Sequence, residues 1–238
     1  CGEEGMGRMS DVSEIIEAIR YSITKKDLVK EKVIVTAGPT REYLDPVRFI
    51  SNRSSGRMGY AIAGAALRRG AEVTLISGHS SLNLPKGVNF IRVETAADMF
   101  EAVNKELNLS TVLIMSAAVS DFMPSKKFKN KIEKSGELLL KLNKTPDILS
   151  EVGKKKNRPF IIGFAAEAGR GVERAEKKLK EKNMDMIIFN DVTEVGSGFD
   201  VDTNKVVIID KEKKMKLPLM SKNSVADAIL DRLVEIRT

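Results

Sequence analysis

The residues best suited to chemistry lie between Gly38 and Gly59. Two turns of small residues enclose Asn52 and the neighbouring pair Ser54 and Ser55 in this stretch. Free backbone N–H groups in such turns form a cradle for an anion when they lie next to the end of a strand. The asparagine and serine side chains add directed hydrogen bonds, so the pattern predicts a site for a phosphorylated ligand.

These turns need a strand before them and a helix after them. Residues 33–35 are an apolar run that predicts a buried strand just before Gly38, and Gly56 directly precedes a predicted helix over 57–69. Gly70 follows as a stop signal, because glycine readily adopts the left-handed conformation at the end of a helix. The strand and the helix would therefore hold both turns in place.

The rest of the chain alternates between predicted strands and helices. Repeated strand–helix units joined by short turns predict a Rossmann-like α/β fold, with a mostly parallel sheet and helices on both faces. Ligands bind at the carboxyl ends of the strands in such folds. The predicted strands cover residues 32–36, 72–77, 89–93, 111–116, 137–142, 160–164, 185–189, 206–209 and 214–219, and the predicted helices cover 11–23, 57–69, 172–182 and 223–236, with one more starting at Thr95 and one with Pro146 as its first residue.

Composition narrows the possible partners. The 238 residues carry a formal net charge of +7, which suits acidic small molecules, whereas the basic runs lack the interleaved aromatic residues of a nucleic-acid site. Cys1 and His79 are the only residues of their types, so we expect no metal site made of protein ligands. No apolar run approaches the ~20 residues of a membrane helix. One cysteine allows no disulfide within the chain, which fits a reducing cytoplasm. We therefore expect a cytoplasmic protein that binds neither nucleic acid nor membrane.

The common nucleotide-binding motifs are absent from the sequence. The chain contains neither G-x-G-x-x-G after its first predicted strand nor G-x-x-x-x-G-K-[ST]. It therefore lacks the signatures of the dinucleotide-binding and P-loop folds. Tyr21 and Lys25 have the spacing of a short-chain reductase pair, but they precede the first strand of the predicted sheet, where they cannot reach the site.

A long series of motifs resembles the phosphopantothenate–cysteine ligase family. It begins with T-A-G-P-T-R-E and D-P-V-R-F-I-S-N-R-S-S-G-R-M-G, continues through S-A-A-V-S-D-F, K-I-E-K, T-P-D-I-L, I-G-F-A-A-E, K-x-x-x-K-N-x-D and N-D-V followed by G-F-D, and covers residues 30–238. Residues 1–9 resemble the end of the decarboxylase half that precedes the ligase in bifunctional members. We therefore expect a decarboxylase remnant and linker over 1–29, with Cys1 inert, and a ligase domain over 30–238.

This resemblance implies an amide-forming ligase of coenzyme A biosynthesis. The family joins the carboxylate of 4′-phosphopantothenate to the amine of L-cysteine. CTP first converts the carboxylate into an acyl-cytidylate and releases pyrophosphate, and cysteine then displaces CMP. The residues leave CTP and ATP open, although F-A-A-E is the bacterial type of pocket and favours CTP. Mg²⁺ is expected to bridge the phosphates and to be held mainly by the nucleotide and water.

The resemblance also implies roles for individual residues. Asn52 is expected to act on the intermediate, and Lys131 is expected to be the catalytic lysine. Glu133 stands where the family often has a lysine, which leaves the role of Lys134 open. Substrate contacts are expected from Arg48, Asn52, Ala118 and Asn190, and nucleotide contacts from Gly38, Ser54, Ser55, Gly56, Gly59, Ala117, Asp121, Lys131, Phe164, Ala165, Ala166, Lys178 and Lys182.

Several alternatives stay open at this point. Arg48 either binds the phosphate of phosphopantothenate or forms a structural salt bridge. The apolar residues 137–142 either contribute to the interface of the homodimer that the resemblance implies or pack within one subunit. The alternative functions are a nucleotide-sensing module without catalysis and an NAD(P)-dependent reductase.

Overall fold

The computed structural model describes residues 9–134, 136–167, 171–191, 193–194, 196–198 and 201–238. Within these ranges the helices are α1 (Val12–Ile23), α2 (Arg57–Arg68), α3 (Ala96–Leu107), α4 (Ile148–Gly153), α5 (Val172–Glu181) and α6 (Lys222–Arg237). The strands are β1 (Lys32–Ala37), β2 (Arg41–Tyr43), β3 (Phe49–Ser51), β4 (Glu72–Ser77), β5 (Asn89–Arg92), β6 (Val112–Met115), β7 (Phe122–Pro124), β8 (Leu142–Lys144), β9 (Phe160–Glu167), β10 (Met186–Asp191), β11 (Thr203–Asn204), β12 (Val206–Asp210), β13 (Lys214–Lys216) and β14 (Met220–Ser221).

Eight of these strands form the central sheet, in the order β13-β12-β10-β9-β6-β1-β4-β5. The neighbours from β10 to β5 run parallel, whereas β12 and β13 are antiparallel additions at one side. Strand β1 lies in the interior of the sheet and buries five of its six residues, as its apolar sequence predicts. The prediction of a Rossmann-like α/β fold with a mostly parallel sheet is confirmed.

Helices cover both faces of this sheet. On one face, α2 and α6 pack together and bury apolar residues such as Ile62 and Ile229. On the other face, α3 and α5 bury Met99 and Leu179. Each of these helices carries apolar residues at helical spacing, so each buries one stripe against the sheet. The parallel strands are thus covered on both faces, and their carboxyl ends meet at one edge.

Capping side chains decide where α3 and α4 begin. The capping box predicted at Thr95 is confirmed, because its side chain accepts from the backbone N–H of Asp98 and the Asp98 side chain accepts in return. The prediction that Pro146 is the first helical residue is wrong. Asp147 caps α4 by accepting a hydrogen bond from Ser150 N–H at 3.1 Å, and the helix begins one residue after it. An aspartate oxygen satisfies a free donor of the first turn, which makes it a strong N-cap.

The predicted strand over 137–142 is wrong. Residues 137–141 form no strand, and only β8 pairs, antiparallel to β7. Leu139 is 85% exposed, and Leu138 and Leu140 are exposed as well. The run of consecutive leucines lacks the alternation of a half-buried strand, so neither of its faces is favoured for burial. An apolar patch consequently lies on the surface of the subunit.

Other predictions have mixed outcomes. Strand β9 runs to Glu167, three residues beyond its predicted end, because it stays paired with β10 over that length. Residues 1–8, Val192, Phe199 and Asp200, which belong to two of the family motifs, lie outside the described residues. Among the residues that are described, no helix combines the length and the apolar character needed to cross a bilayer.

Candidate functional site

The carboxyl ends of the six parallel strands line one edge of the sheet. The register pairs Ala37 of β1 with Ser77 of β4, and Glu167 of β9 with Asp191 of β10, while β6 lies between β1 and β9. Neighbouring strands are about 4.8 Å apart, so the ends of β1 and β9 are separated by roughly 10 Å. The edge is therefore long enough for an extended ligand to contact several loops at once.

Three loops meet at the end of β1. Gly38 and Gly56 have φ angles of 71° and 80°, which residues with a side chain rarely adopt. A Cβ atom on Gly56 would lie 3.2 Å from the backbone nitrogen of Gly38, and one on Gly38 would lie 3.0 Å from the carbonyl oxygen of His79. Glycine is therefore required at both positions, and main-chain groups line this part of the edge.

Helix α2 begins at the same crossing. Gly56 is its N-cap, and the first backbone bond of the helix runs from Tyr60 N–H to Gly56 O at 3.1 Å. The N–H groups of residues 57–59 precede this bond, as in helix termini that bind anions. Gly59 allows the helix to approach the sheet closely, because a Cβ atom there would lie 2.6 Å from the Cβ atom of Ala37.

The two serines before the helix take part in the loop's own hydrogen bonds. Ser54 Oγ accepts from the backbone N–H of Gly56 at 3.3 Å. The carbonyl oxygen of Ser55 accepts from Ser80 Oγ, in the loop after β4, at 3.0 Å. The expected nucleotide-binding loop is thus joined to the end of β4, and both serines stay partly exposed at the edge.

Asn52 connects this loop to the segment after β6. Its Nδ2 donates to the carbonyl oxygens of Ala118 at 3.4 Å and Val119 at 3.0 Å. Ala118 N–H in turn donates to Gly38 O at 2.9 Å, and Ala117 N–H donates to a threonine hydroxyl of β1. Because Nδ2 makes both contacts, Oδ1 is the atom that this exposed amide offers to a ligand.

Asp45 is a candidate that sequence reasoning missed. Its carboxylate is fully buried, and Oδ1 accepts from the N–H groups of Val47 and Arg48, each at 2.8 Å. Its Oδ2 accepts from Ile132 N–H at 3.1 Å. Burial acts to raise the pKa of Asp45, but the three backbone donors and the Arg48 charge outweigh it, so the pKa lies below its ordinary value. The sequence signal was Asp-Pro, which favours a turn built on the aspartate side chain.

Arg48 and Lys131 bring positive charge to this part of the molecule. Arg48 Nη1 lies 3.5 Å from Asp45 Oδ2, so the structural salt bridge is formed, while about a third of the Arg48 side chain remains exposed. Lys131 is exposed and lies next to Ile132 in a segment without helix or strand. In the described part of the chain, Lys131 makes no ion pair, whereas Arg48 does.

Two further lysines, Lys178 and Lys182, contact carboxylates at the end of β9 and at the N-cap of α4. Lys178 Nζ contacts Glu167 Oε1 at 2.8 Å, and Lys182 Nζ contacts Asp147 Oδ2 at 2.9 Å. Burial acts to raise the pKa of Asp147, but hydrogen bonds from Lys182 and from Ser150 N–H lower it below its ordinary value. Lys178 and Lys182, the C-cap residue of α5, are four residues apart, so the same side of the helix directs both of them to this edge.

The segment predicted to line a base pocket alternates between the faces of the sheet. Phe164 packs against the core on the α2 side, and Ala166 is exposed on that same side by strand alternation. Ala165 is 4% exposed and belongs to the opposite core, so only its main chain can reach a ligand on the Phe164 side. The sequence motif therefore contributes two side chains rather than three to one face.

The remaining predicted residues lie along the same edge. Asp121 is exposed, and its carbonyl oxygen accepts from Thr145 N–H at 3.0 Å, two residues before Asp147. Asn190 is buried at the end of β10, and its Oδ1 has no hydrogen-bond donor within the described residues. Leaving a buried hydrogen-bond acceptor without a donor lowers the stability of the fold, unless a ligand or a water molecule donates to it.

Two further observations concern metal binding and a groove elsewhere on the surface. The described residues contain no group of three or more His, Cys, Asp or Glu side chains placed to hold a metal ion. A groove of about 1530 Å³ lies elsewhere, between α1, α2 and the loop at Leu84. We assign the site to the strand edge rather than to this groove, because the edge brings together glycine-lined main chain, Asn52 and the lysines.

Comparison with known sequences gives one family and a set of longer relatives. The family model described as DNA/pantothenate metabolism flavoprotein C-terminal domain matches residues 28–236. The chain is 45% identical over 242 residues to the coenzyme A biosynthesis bifunctional protein CoaBC of Bacillus subtilis (strain 168), covering 99% of this chain and 60% of that protein. The Vibrio cholerae protein of the same name is 43% identical over 239 residues, with the same coverage. The chain thus spans about 60% of the length of these relatives.

Solved structures with the same fold include close and distant ones. The C-terminal domain of a CoaBC protein superimposes with a TM-score of 0.77 at 40% identity, covering 89% of this chain and 98% of that chain. A Cab2 mutant in complex with phosphopantothenate-cysteine has a TM-score of 0.69 at 17% identity, covering 97% of each chain. At that identity the second likeness shows the fold alone.

Proposed function

The chain belongs to the DNA/pantothenate metabolism flavoprotein C-terminal domain family, and we propose that it is a ligase joining 4′-phosphopantothenate to L-cysteine in coenzyme A biosynthesis. The observation that carries this proposal is the meeting of Gly38, Gly56 and Asn52 at one sheet edge, with exposed cations along it. The relatives' names point to the same pathway. A reaction between two polyanions needs this kind of positive, main-chain-lined surface.

The proposed reaction has two steps. A carboxylate oxygen of phosphopantothenate attacks the α-phosphorus of CTP, and the bond to the β-phosphate oxygen breaks with release of pyrophosphate. The amine nitrogen of cysteine then attacks the acyl carbon, CMP leaves with the former carboxylate oxygen, and the nitrogen loses a proton. Positioning and charge neutralisation supply most of the rate gain in such transfers, because the reacting groups repel one another.

The residues divide between the two ends of the edge. Main-chain N–H groups near Gly56, with the Ser54 and Ser55 loop, suit the β- and γ-phosphates, and Lys131 suits the α-phosphate where charge builds up. Phe164 presents an aromatic surface for a flat base. The other expected nucleotide contacts are Gly38, Gly59, Ala117, Asp121, Ala165, Ala166, Lys178 and Lys182.

Asn52 is suited to the second step. Its Nδ2 is held by the carbonyl oxygens of Ala118 and Val119, which turns Oδ1 outward as an acceptor. An acceptor at this point can orient the N–H groups of the cysteine amine towards the acyl carbon. Asn190 offers a second buried acceptor at the same edge, and the free part of Arg48 suits the phosphate of phosphopantothenate.

Further parts of the proposal concern the metal, the assembly and the cellular setting. Mg²⁺ would bridge the nucleotide phosphates and be held mainly by them and by water, as is usual for this ion. The exposed leucines of residues 138–140 and Phe122 suit the interface of a homodimer. We also propose a cytoplasmic enzyme that works with an upstream decarboxylase domain, as the bifunctional naming of the relatives suggests.

Release of pyrophosphate tests the reaction directly. We would incubate the protein with Mg²⁺, phosphopantothenate and each of the four nucleoside triphosphates, with and without cysteine, and follow pyrophosphate and the amide product. Release that depends on phosphopantothenate and is greatest with CTP is expected. Binding of nucleotide without release would favour the sensing module, and oxidation of NADPH added in a parallel incubation would favour the reductase.

A substitution separates the two steps. Asn52→Asp is expected to keep acyl-cytidylate formation but to convert the intermediate poorly, because a carboxylate would face two carbonyl oxygens and lose the held orientation. Quenched-flow separation of the intermediate and the product measures this. Asn223→Asp, at an exposed position on α6, is the matched control. Normal product formation by Asn52→Asp would remove Asn52 from the mechanism.

A further inference from the structure

Asp45 joins two segments that carry the proposed anion-binding cations. Its Oδ1 accepts both N–H groups of the turn that presents Arg48, each at 2.8 Å. Its Oδ2 accepts the N–H group of Ile132, the residue after Lys131, at 3.1 Å. One buried carboxylate therefore uses a different oxygen for each segment.

The lysine segment has few other attachments. Phe128 N–H donates to Leu44 O at 2.8 Å, next to Asp45, and this bond holds the beginning of the segment. From residue 129 to residue 134, the bond from Ile132 to Asp45 is the one hydrogen bond that the described residues make to another part of the chain. The segment has no helix or strand to place Lys131 otherwise.

Burial makes this arrangement costly unless each oxygen is satisfied. A buried carboxylate is stable in the ionised form when several N–H donors and a cation surround it. Asp45 is 0% exposed and has three backbone donors with the Arg48 guanidinium nearby. Its ionised form therefore holds the two segments together over the neutral pH range.

We propose that Asp45 is a positioning residue that sets the distance between Arg48 and Lys131. In this proposal Asp45 contacts none of the three substrates. It acts by fixing the position of Lys131 relative to the turn that contains Arg48. This assignment rests on the proposed ligase function. A misplacement of about 1 Å in a catalytic group can lower a rate by about 100-fold, so the anchor matters even though it is remote from the reacting atoms.

Asp45→Asn is the selective test. The amide keeps one oxygen for the N–H groups of Val47 and Arg48, whereas its NH₂ group cannot accept from Ile132. We expect a lower melting temperature, because the buried amide leaves Ile132 N–H without an acceptor, together with faster hydrogen exchange at the Ile132 amide and about a tenfold lower kcat under conditions where the variant is folded. Combined with Lys131→Ala, the same substitution should cost less than about twofold, because the residue it positions is already absent.

Glu42→Gln is the matched control. Glu42 is also a buried carboxylate that accepts a backbone N–H, from Ala96 at 2.8 Å, but it holds α3 rather than the lysine segment. Its effect on kcat should be small and should stay the same in the Lys131→Ala background. Additive effects of Asp45→Asn and Lys131→Ala, or unchanged exchange at Ile132, would overturn the assignment.

The experiments distinguish a failure of the proposed ligase function from a failure of the Asp45 assignment. If the unsubstituted protein releases no pyrophosphate with any nucleotide, the ligase proposal is wrong. The Asp45 assignment is then judged by Ile132 exchange and by calorimetric affinity for inorganic tripolyphosphate in the same four proteins of the double-mutant cycle. Loss of affinity that depends on Lys131 supports the assignment, and an unchanged affinity contradicts it.

Discussion

Lys131 and the pair Lys178 and Lys182 belong to the same proposed site, yet the protein holds them differently. Lys178 on α5 and Lys182 at its C-cap each contact a carboxylate, at 2.8 Å and 2.9 Å. Lys131 makes no ion pair among the described residues and lies in a segment without regular structure. A carboxylate partner thus offsets the charge of Lys178 and of Lys182, whereas no ion pair among the described residues offsets the charge of Lys131.

This difference predicts different roles for Lys131 and for the pair Lys178 and Lys182. A paired lysine can bind an anion only by sharing or releasing its carboxylate, so it suits ground-state binding of the nucleotide. An unpaired lysine on a flexible stem can follow charge as it moves onto the α-phosphate. We therefore expect substitution of Lys131 to change turnover and substitution of the helix lysines to change affinity.

The largest effect is expected for Lys131→Ala. Removal of a charge that acts in the transition state should lower kcat by about 100-fold, with a smaller change in KM for the nucleotide. Steady-state pyrophosphate release measures both constants. Lys129→Ala, exposed in the same segment, is the control and should stay within about threefold. Equal losses in both variants would show that the segment needs net charge and not Lys131.

Lys182→Ala and Lys178→Ala should follow with smaller effects. Each is expected to raise KM for the nucleotide by about tenfold while kcat changes little, because the contact is made in the ground state as well. Lys177 pairs with Glu181 on the outer side of α5, at 3.6 Å, and Lys177→Ala is the matched control. A fall in kcat with unchanged KM would contradict the division between the two groups of lysines.

Asp147→Asn should mainly affect stability. Asparagine keeps the helix cap but loses the charge opposite Lys182, which in a half-exposed pair contributes about 0.5–1 kcal/mol. The pKa of Asp147 is lowered in the folded protein, so this contribution is present above about pH 4 and is lost as the pH falls through the folded pKa. Urea unfolding of both proteins from pH 7 down to pH 3 measures it. A difference that persists unchanged at pH 3 would rule out the charge as its cause.

Glu133→Gln is expected to give the smallest change. Glu133 is exposed two residues from Lys131 and weakens the local positive potential. Its neutralisation should tighten nucleotide binding by about twofold at low salt, and the gain should disappear as salt screens it. Calorimetric titration at low and high ionic strength checks this. Glu151→Gln, in the exposed pair with Lys154, is the control.

The fold could be predicted from the sequence where patterns are local. The apolar run of β1, the capping box at Thr95 and the strand–helix alternation each depend on neighbouring residues, and the structure agrees with them. The run 137–142 could not be placed, because consecutive leucines carry no alternation and their burial depends on a partner surface. Pro146 was misassigned because the stronger cap of Asp147 competes with it.

The site could be predicted only in part. The position of Gly38 and Gly56 followed from turn chemistry, since their conformation is a local property. The contacts of Asp45 with Ile132 and of Lys182 with Asp147 join residues that are 87 and 35 positions apart. Such contacts leave no periodic pattern in the sequence. A lysine-rich stretch also has the same sequence pattern whether its side chains are solvated or held in a site.

The crossing of Gly38 and Gly56 bears on inhibitor design. A compound that gains its affinity from main-chain N–H groups at this crossing is difficult to weaken by substitution of these residues. Any larger residue at either glycine would bring a Cβ atom to within about 3.0–3.2 Å of backbone atoms, in a conformation that side chains disfavour. A substitution there that weakens such a compound would also strain the fold of the protein itself.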